Sequence, residues 1–294
     1  MSSYKDMKRI RLFGVFAALF AFSWTLTGQV VNSIIRTADA AYAGLSGAGV
    51  AMPANPYALE ENPAAMSLYD GNMAAGAGFG IINPSSVKMQ MISAAGFYKL
   101  GQLALGLDAK SLSYEPYSVF AADGRTTGEF TPREFALTLG ASYLVTESIS
   151  VGLNAKMYSV NLAEDSSTVG LGIDAAAMYS SGPLCAGVNI RNIASPVMDV
   201  RAGAAYSLYS LTVSAEGEYL AGAGIMAALG AQYAIKEMVF VRGGFHYGNA
   251  ATAIPSYGSL GAGLKIAGIN LDAAVLLGAA PVSGTTLVSL GYSF

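Results

Sequence analysis

The sequence is short of charge. Of its 294 residues only 12% are Asp, Glu, Lys or Arg, against 53% hydrophobic, and its mean hydropathy is +0.45. A water-soluble domain carries about 25% charged residues, so this chain does not present a wholly water-facing surface. It is equally short of cysteine and histidine, with Cys185 and His246 each the sole example. One cysteine excludes a disulfide framework and a Cys-based zinc site. A metal site needs clustered ligands, so neither a metal nor a cofactor is expected. There is no Walker A motif. The glycine-rich run Gly76–Gly80 falls in a strand pattern, with no helix to present an amide nest to phosphate. Beyond the N-terminus no apolar run reaches the ~20 residues a membrane helix needs. A chain too apolar for water and without membrane helices points to a closed β-barrel, the other structure that satisfies its backbone inside lipid.

What is there begins with a secretory signal. Lys5, Lys8, Arg9 and Arg11 form a basic region, and Leu12–Leu26 an apolar core. Cleavage is expected near Gly28-Gln29, giving residues 1–28 as signal peptide; an uncleaved anchor is the alternative, although the run is short for a span. No cysteine follows to carry a lipid. Beyond residue 28 the chain holds 12 basic and 18 acidic residues, a balance that argues against a nucleic-acid partner.

From residue 72 onward apolar and polar residues alternate with period two, the signature of strands. Ile149, Val151, Leu153, Ala155 and Met157 fall on one face, with Ser148, Ser150, Gly152, Asn154 and Lys156 on the other. Segments 133–144, 168–179, 183–191 and 210–219 repeat this. Fourteen strands are expected, near 72–81, 88–98, 102–112, 133–144, 148–160, 168–179, 183–191, 197–207, 210–219, 224–233, 237–248, 257–266, 269–278 and 284–294. Most exceed the usual ~5–6 residues and match the ~9–11 that cross a bilayer. A soluble sandwich would show the same alternation. The strand length, the even count, and tight turns (100–101, 145–147, 180–182, 208–209) alternating with longer loops (113–132, 161–167, 192–196, 249–256) favour a transmembrane antiparallel barrel. Tyr98, Tyr143, Tyr158, Tyr179, Tyr206, Tyr219, Tyr233 and Tyr247 lie near strand ends, where an interfacial girdle would place them; ordinary strand propensity is the alternative. The last strand sets Val288, Leu290, Tyr292 and Phe294 on one face.

Residues 29–71 do not alternate. They hold a glycine-rich piece (Gly44, Gly47, Gly49), then Pro53 and Pro56, then Asn62-Pro63-Ala64-Ala65-Met66. Proline suits irregular backbone, which at membrane depth is tolerated only when shielded from lipid. This order of motifs resembles the N-terminal hatch of FadL-like outer-membrane proteins, and more closely the PorV/PorQ branch of Bacteroidetes. The resemblance continues through Asp123-Gly124, Thr127–Phe130, Glu134–Gly140 and Ser150–Lys156, covering roughly residues 38–175. The chain departs from it in having no acidic residue in Ala51–Asn55; Glu60 and Glu61 stand just before Asn62 instead.

The resemblance implies an outer-membrane barrel of about fourteen strands at 72–294 with a plug at 29–71. Leu290, Tyr292 and Phe294 resemble the C-terminal signal read by the barrel-assembly machinery. The PorV/PorQ likeness implies an accessory barrel of type IX protein secretion, whose partners would be secreted proteins or other secretion components besides outer-membrane lipid. The wider likeness implies the alternative, a passive channel for hydrophobic small molecules. Neither reading is an enzyme. A lumen His246 paired with a serine could serve a hydrolase, but nothing in the sequence names that serine. Thirteen inward-phased residues carry charge of both signs: Lys88, Asp108, Lys110, Lys156, Asp174, Arg191, Asp199, Arg201, Glu216, Glu218, Arg242, Lys265 and Asp272. Of these, Lys156, Asp174, Arg191, Glu216, Glu218 and Arg242, together with His246, are the candidate lumen residues. Mixed signs suit internal ion pairs that close the bore or hold a plug, whereas a pore for one class of ion favours one sign.

Overall fold

A computed structural model describes residues 37–82, 88–121, 123–164, 166–193, 195, 198–222, 224–248, 254–279 and 282–294. The signal sequence expected at residues 1–28 lies outside the described residues.

Alternation becomes a wall. Fourteen strands close into one antiparallel barrel: β1 (Met73–Ile82), β2 (Met89–Leu100), β3 (Leu103–Tyr114), β6 (Arg133–Thr146), β7 (Ile149–Ala163), β8 (Ser166–Ser181), β9 (Leu184–Arg191), β10 (Asp199–Leu208), β11 (Leu211–Leu220), β12 (Gly224–Ile235), β13 (Val239–Tyr247), β14 (Tyr257–Ile266), β15 (Ile269–Gly278) and β16 (Thr286–Ser293). Each pairs with its chain neighbour, and β16 closes the ring on β1 in the register Ala74↔Ser293 to Ile81↔Thr286. Closure leaves no sheet edge to hydrogen-bond with lipid. Ladders β1–β2, β2–β3 and β3–β6 run without a bulge.

The outer face is apolar. Leu105, Leu107, Leu139, Val151, Leu153, Leu229 and Val241 all project outward. Each such side chain left in water forfeits about 1.5–3 kcal/mol of burial, and dozens of them make a surface suited to hydrocarbon. Tyr98, Tyr143, Tyr179, Tyr206 and Tyr233 ring the outside near the short-turn rim, while Tyr219 and Tyr247 sit near the long-loop rim. Tyr158 departs from this set. It faces inward at 6% exposure, because Tyr158 shares the phase of Ser150 and Asn154 on β7.

Two loop expectations are corrected. The segment expected as a long loop at 161–167 is mostly strand: β7 and β8 continue to an Ala163↔Ser166 pair. Their hairpin outgrows its neighbour, since β9 pairs with β8 only from Ala175 on. The 113–132 connection carries its own hairpin, β4 (Tyr117–Phe120) with β5 (Thr126–Phe130), which leans on β7 through Tyr117 Oη donating to the Leu162 carbonyl at 3.4 Å.

Residues 37–68 fold against the inner wall of the barrel. Helix α1 (Ala40–Ala43) is capped by Asp39, which accepts from the amides of Ala41 and Tyr42. Helix α2 (Ala58–Glu61) is followed by a 3-10 helix (Pro63–Leu68). Asn62 caps the latter by accepting from Ala64 N at 3.0 Å, with Pro63 at the first helical position, where its missing N–H costs nothing.

Candidate functional site

The inner wall is built around this segment. Ten barrel strands place a glycine where the segment runs close: Gly76 and Gly78 (β1), Gly106 (β3), Gly140 (β6), Gly152 (β7), Gly187 (β9), Gly203 (β10), Gly230 (β12), Gly244 (β13), Gly261 (β14) and Gly291 (β16). At Gly187 a Cβ would overlap the Val50 carbonyl oxygen, and at Gly152 it would lie 2.5 Å from Ala64 N. Only glycine admits such backbone-to-backbone approach.

Polar side chains of the wall then satisfy the segment's irregular backbone. Ser150 Oγ donates to Ala64 O (2.7 Å), Asn154 Nδ2 to Leu59 O (2.9 Å), Asn189 Nδ2 to Glu61 O (2.8 Å) and Ser259 Oγ to Gly44 O (2.9 Å). Glu216 accepts from Val50 N at 2.8 Å. Within the segment, Asn62 Nδ2 donates to Val50 O at 2.8 Å. Gly44 ends α1, Gly47 takes a φ of +82° in the turn that follows, and a Cβ at Gly49 would meet the Glu61 carboxylate at 2.8 Å. Buried polar groups cost little only when paired in this way.

Ion pairs tie the two parts together. Arg201 is the hub: Nη1 meets Glu61 at 2.7 Å, Nε pairs with Glu216, and Nη2 donates to Gly47 O at 2.7 Å. Lys110 meets Glu60 at 2.6 Å, and Glu60 also accepts from Ala38 N at 2.9 Å. Glu60 and Glu61, which stand just before Asn62, thus both engage the wall. Wall-to-wall pairs complete the set: Lys156 with Asp174 (2.7 Å), Arg191 with Asp199, and Arg242 with Asp272 (2.5 Å). Glu218 stands 3.9 Å from Arg191. His246 is buried on the inner wall and stacks on Tyr257, with centroids 4.9 Å apart and planes 15° from parallel.

Lys156, Asp174, Arg191, Glu216, Glu218, Arg242 and His246 all face inward, but they do not form one centre. Arg191, Glu216, Glu218 and His246 share a cavity on the long-loop side. Arg242 lines another on the short-turn side. Lys156 and Asp174 pair elsewhere on the wall. Val288, Leu290, Tyr292 and Phe294 lie on the outer surface, and the Phe294 carbonyl accepts from Asn72 N and Met73 N at 2.8 and 2.9 Å. Sequence reasoning missed the serines and asparagines that hold the segment. Their signal is weak: a polar residue of inward phase, identical to one that merely meets lumen water.

The two cavities flank α1. The long-loop cavity, about 80 Å³, has an apolar wall of Ile82, Leu276 and Leu287 and a charged wall of Glu61, Arg191, Arg201, Glu216 and Glu218, with Ala43 at its base. The short-turn cavity, about 220 Å³, is more polar and reaches Asp39, Ala41, Asn55, Arg242 and Asp272. Asp39 accepts from Ser289 Oγ at 2.8 Å and Asn55 Nδ2 at 2.5 Å. Burial first, and then the nearby Asp272 charge, push its carboxyl up to about 6.

These features define a class: a closed fourteen-stranded barrel whose bore is filled by its own N-terminal segment. No family model matches the chain, and no curated protein matches it. Among solved structures, it is similar to the toluene transporter TbuX of Ralstonia pickettii (TM-score 0.67, 14% identity, covering 90% of this chain and 100% of that one). It is also similar to the monoaromatic hydrocarbon channel CymD (0.64, 14%, 87% and 97%) and to a FadL homologue of Pseudomonas aeruginosa (0.60, 12%, 88% and 96%). The chain has the FadL-type barrel fold.

Proposed function

We propose that the chain is an outer-membrane channel for hydrophobic small molecules, with the segment around Gly44–Ala64 acting as its plug. The cavity between segment and wall carries this reading. It has an apolar side of Ile82, Leu276 and Leu287, it lies toward the long loops, and a second, larger cavity of about 220 Å³ lies on the other side of α1. Apolar pockets with a few convergent polar groups are the usual form of a small-molecule site. The toluene transporter and the hydrocarbon channel that share the fold support the same reading, and support it over the type IX secretion role that the PorV/PorQ resemblance implies. The apolar belt and its tyrosines suit an outer-membrane location, with short turns toward the periplasm. The outward-facing final strand through Leu290, Tyr292 and Phe294 would address the chain to the assembly machinery.

The test is uptake. Cells carrying the barrel, in a host whose own hydrophobic-compound channels have been removed, are expected to take up labelled toluene or a medium-chain hydrocarbon faster than cells without it. Ala228 lines the cavity and faces inward; Ala228→Phe, which fills the space, is expected to cut that uptake about tenfold while the barrel still migrates as folded, at an overpacking cost of about 1–3 kcal/mol. Uptake equal with and without the barrel would overturn the reading.

A further inference from the structure

Among the described residues, the charges on the polar wall of the long-loop cavity do not balance. Arg201 is engaged through all three nitrogens, by Glu61, Glu216 and the Gly47 carbonyl. Arg191 is engaged by Asp199 through both Nε and Nη2. Glu218 lines the cavity, and its nearest cation is Arg191 Nη2 at 3.9 Å, beyond hydrogen-bond reach and already serving Asp199. Among the described residues four carboxylates therefore meet two guanidiniums, and the surplus lies at Glu218, whose side chain is 13% exposed. Charge placed away from water acts strongly on whatever enters. His246, also on the lining, adds no charge when neutral.

We propose, resting on the channel reading above, that this pocket selects hydrophobic molecules bearing a cationic amine. The ammonium sits against Glu218 and the hydrocarbon against Ile82, Leu276 and Leu287. A carboxylate on the same skeleton meets like charge, and both guanidiniums that could receive it are already bonded.

Equilibrium dialysis of the purified barrel in detergent, at mildly alkaline pH where histidine is neutral, compares butylamine, butanol and butyrate, chains small enough for a cavity of about 80 Å³. The amine is expected to bind at least about tenfold more tightly than the alcohol, about 1.4 kcal/mol, and the carboxylate most weakly. Glu218→Gln is expected to collapse the amine-to-alcohol ratio, and Glu218→Asp, which keeps the charge, to preserve it. Alcohol bound as tightly as amine overturns the inference and leaves the channel reading standing, as does an amine preference that survives in Glu218→Gln. Failure of all three probes to bind overturns both. The wild-type series decides the charge preference by itself, so the test does not hang on the folding of a variant.

Discussion

At Asp39 one carboxylate does three things. It caps α1, it fastens that helix to β16 through Ser289, and it borders the short-turn cavity. Its folded pKa of about 6 stands above the ordinary 3.8, so the folded state holds this proton more tightly than the unfolded chain does. By linkage, the stability that Asp39 contributes is fully present below about pH 4 and is lost as pH rises through about 6. Urea unfolding of the barrel in detergent is expected to show a midpoint that falls between pH 4 and pH 7, with a smaller fall in Asp39→Asn. Equal falls in the two proteins would show that the titrating group lies elsewhere. None of this is legible in the sequence. Asp39 sits in a run of alanines outside every recognised motif, and what perturbs it, Asp272 and Ser289, is more than 230 residues away along the chain.

At the scale of elements, strands were readable and their company was not. A β-strand fixes which side chains share a face, so the alternation placed fourteen strands within a few residues of their observed bounds and set His246 and Arg242 on one face. It fell short where strands run on past the expected ends, most of all at β7 and β8. The glycines show the limit. In the sequence Gly152 and Gly187 read as small residues scattered on strands; in the structure they are the positions where Ala64 and Val50 come close. Periodicity states which face a glycine takes, but not what presses against it. The consequence is measurable. Gly187→Ala would overlap the Val50 carbonyl, whereas a Cβ at outward-facing Gly217 meets nothing nearer than 4.0 Å. Gly187→Ala is expected to destabilise the barrel by about 1–3 kcal/mol and Gly217→Ala to stay within about 0.5 kcal/mol, read as shifts in urea midpoint. Equal shifts would mean that the segment does not pack the wall as closely as its backbone contacts imply.

For the whole molecule the question is how anything passes. The wall offers no gap at β1–β2–β3–β6, where every ladder is continuous. The bore is occupied by a segment bonded to strands on all sides, and the two cavities are separated by α1. The hold is uneven. The stretch 57–68 engages β3, β7 and β9 through Lys110, Ser150, Asn154 and Asn189, and β10 through Arg201. The stretch 38–46 rests on β14 and β16 mainly through the hydroxyls of Ser259 and Ser289. Both stretches are held by hydrogen bonds, but only 57–68 adds ion pairs to the wall, through Glu60 and Glu61, and bonds to charged groups exceed the roughly 0.5–1.5 kcal/mol of neutral ones, so α1 is the part expected to move first. Moving it would join the two cavities along β14–β16. Ser46 and Ser259 offer a lock, their hydroxyl oxygens being 2.8 Å apart. With Cys185 replaced by serine, the double variant Ser46→Cys, Ser259→Cys is expected to lose uptake when oxidised and regain it on reduction. Uptake that persists in the cross-linked barrel would place the route elsewhere, along a path that leaves α1 seated.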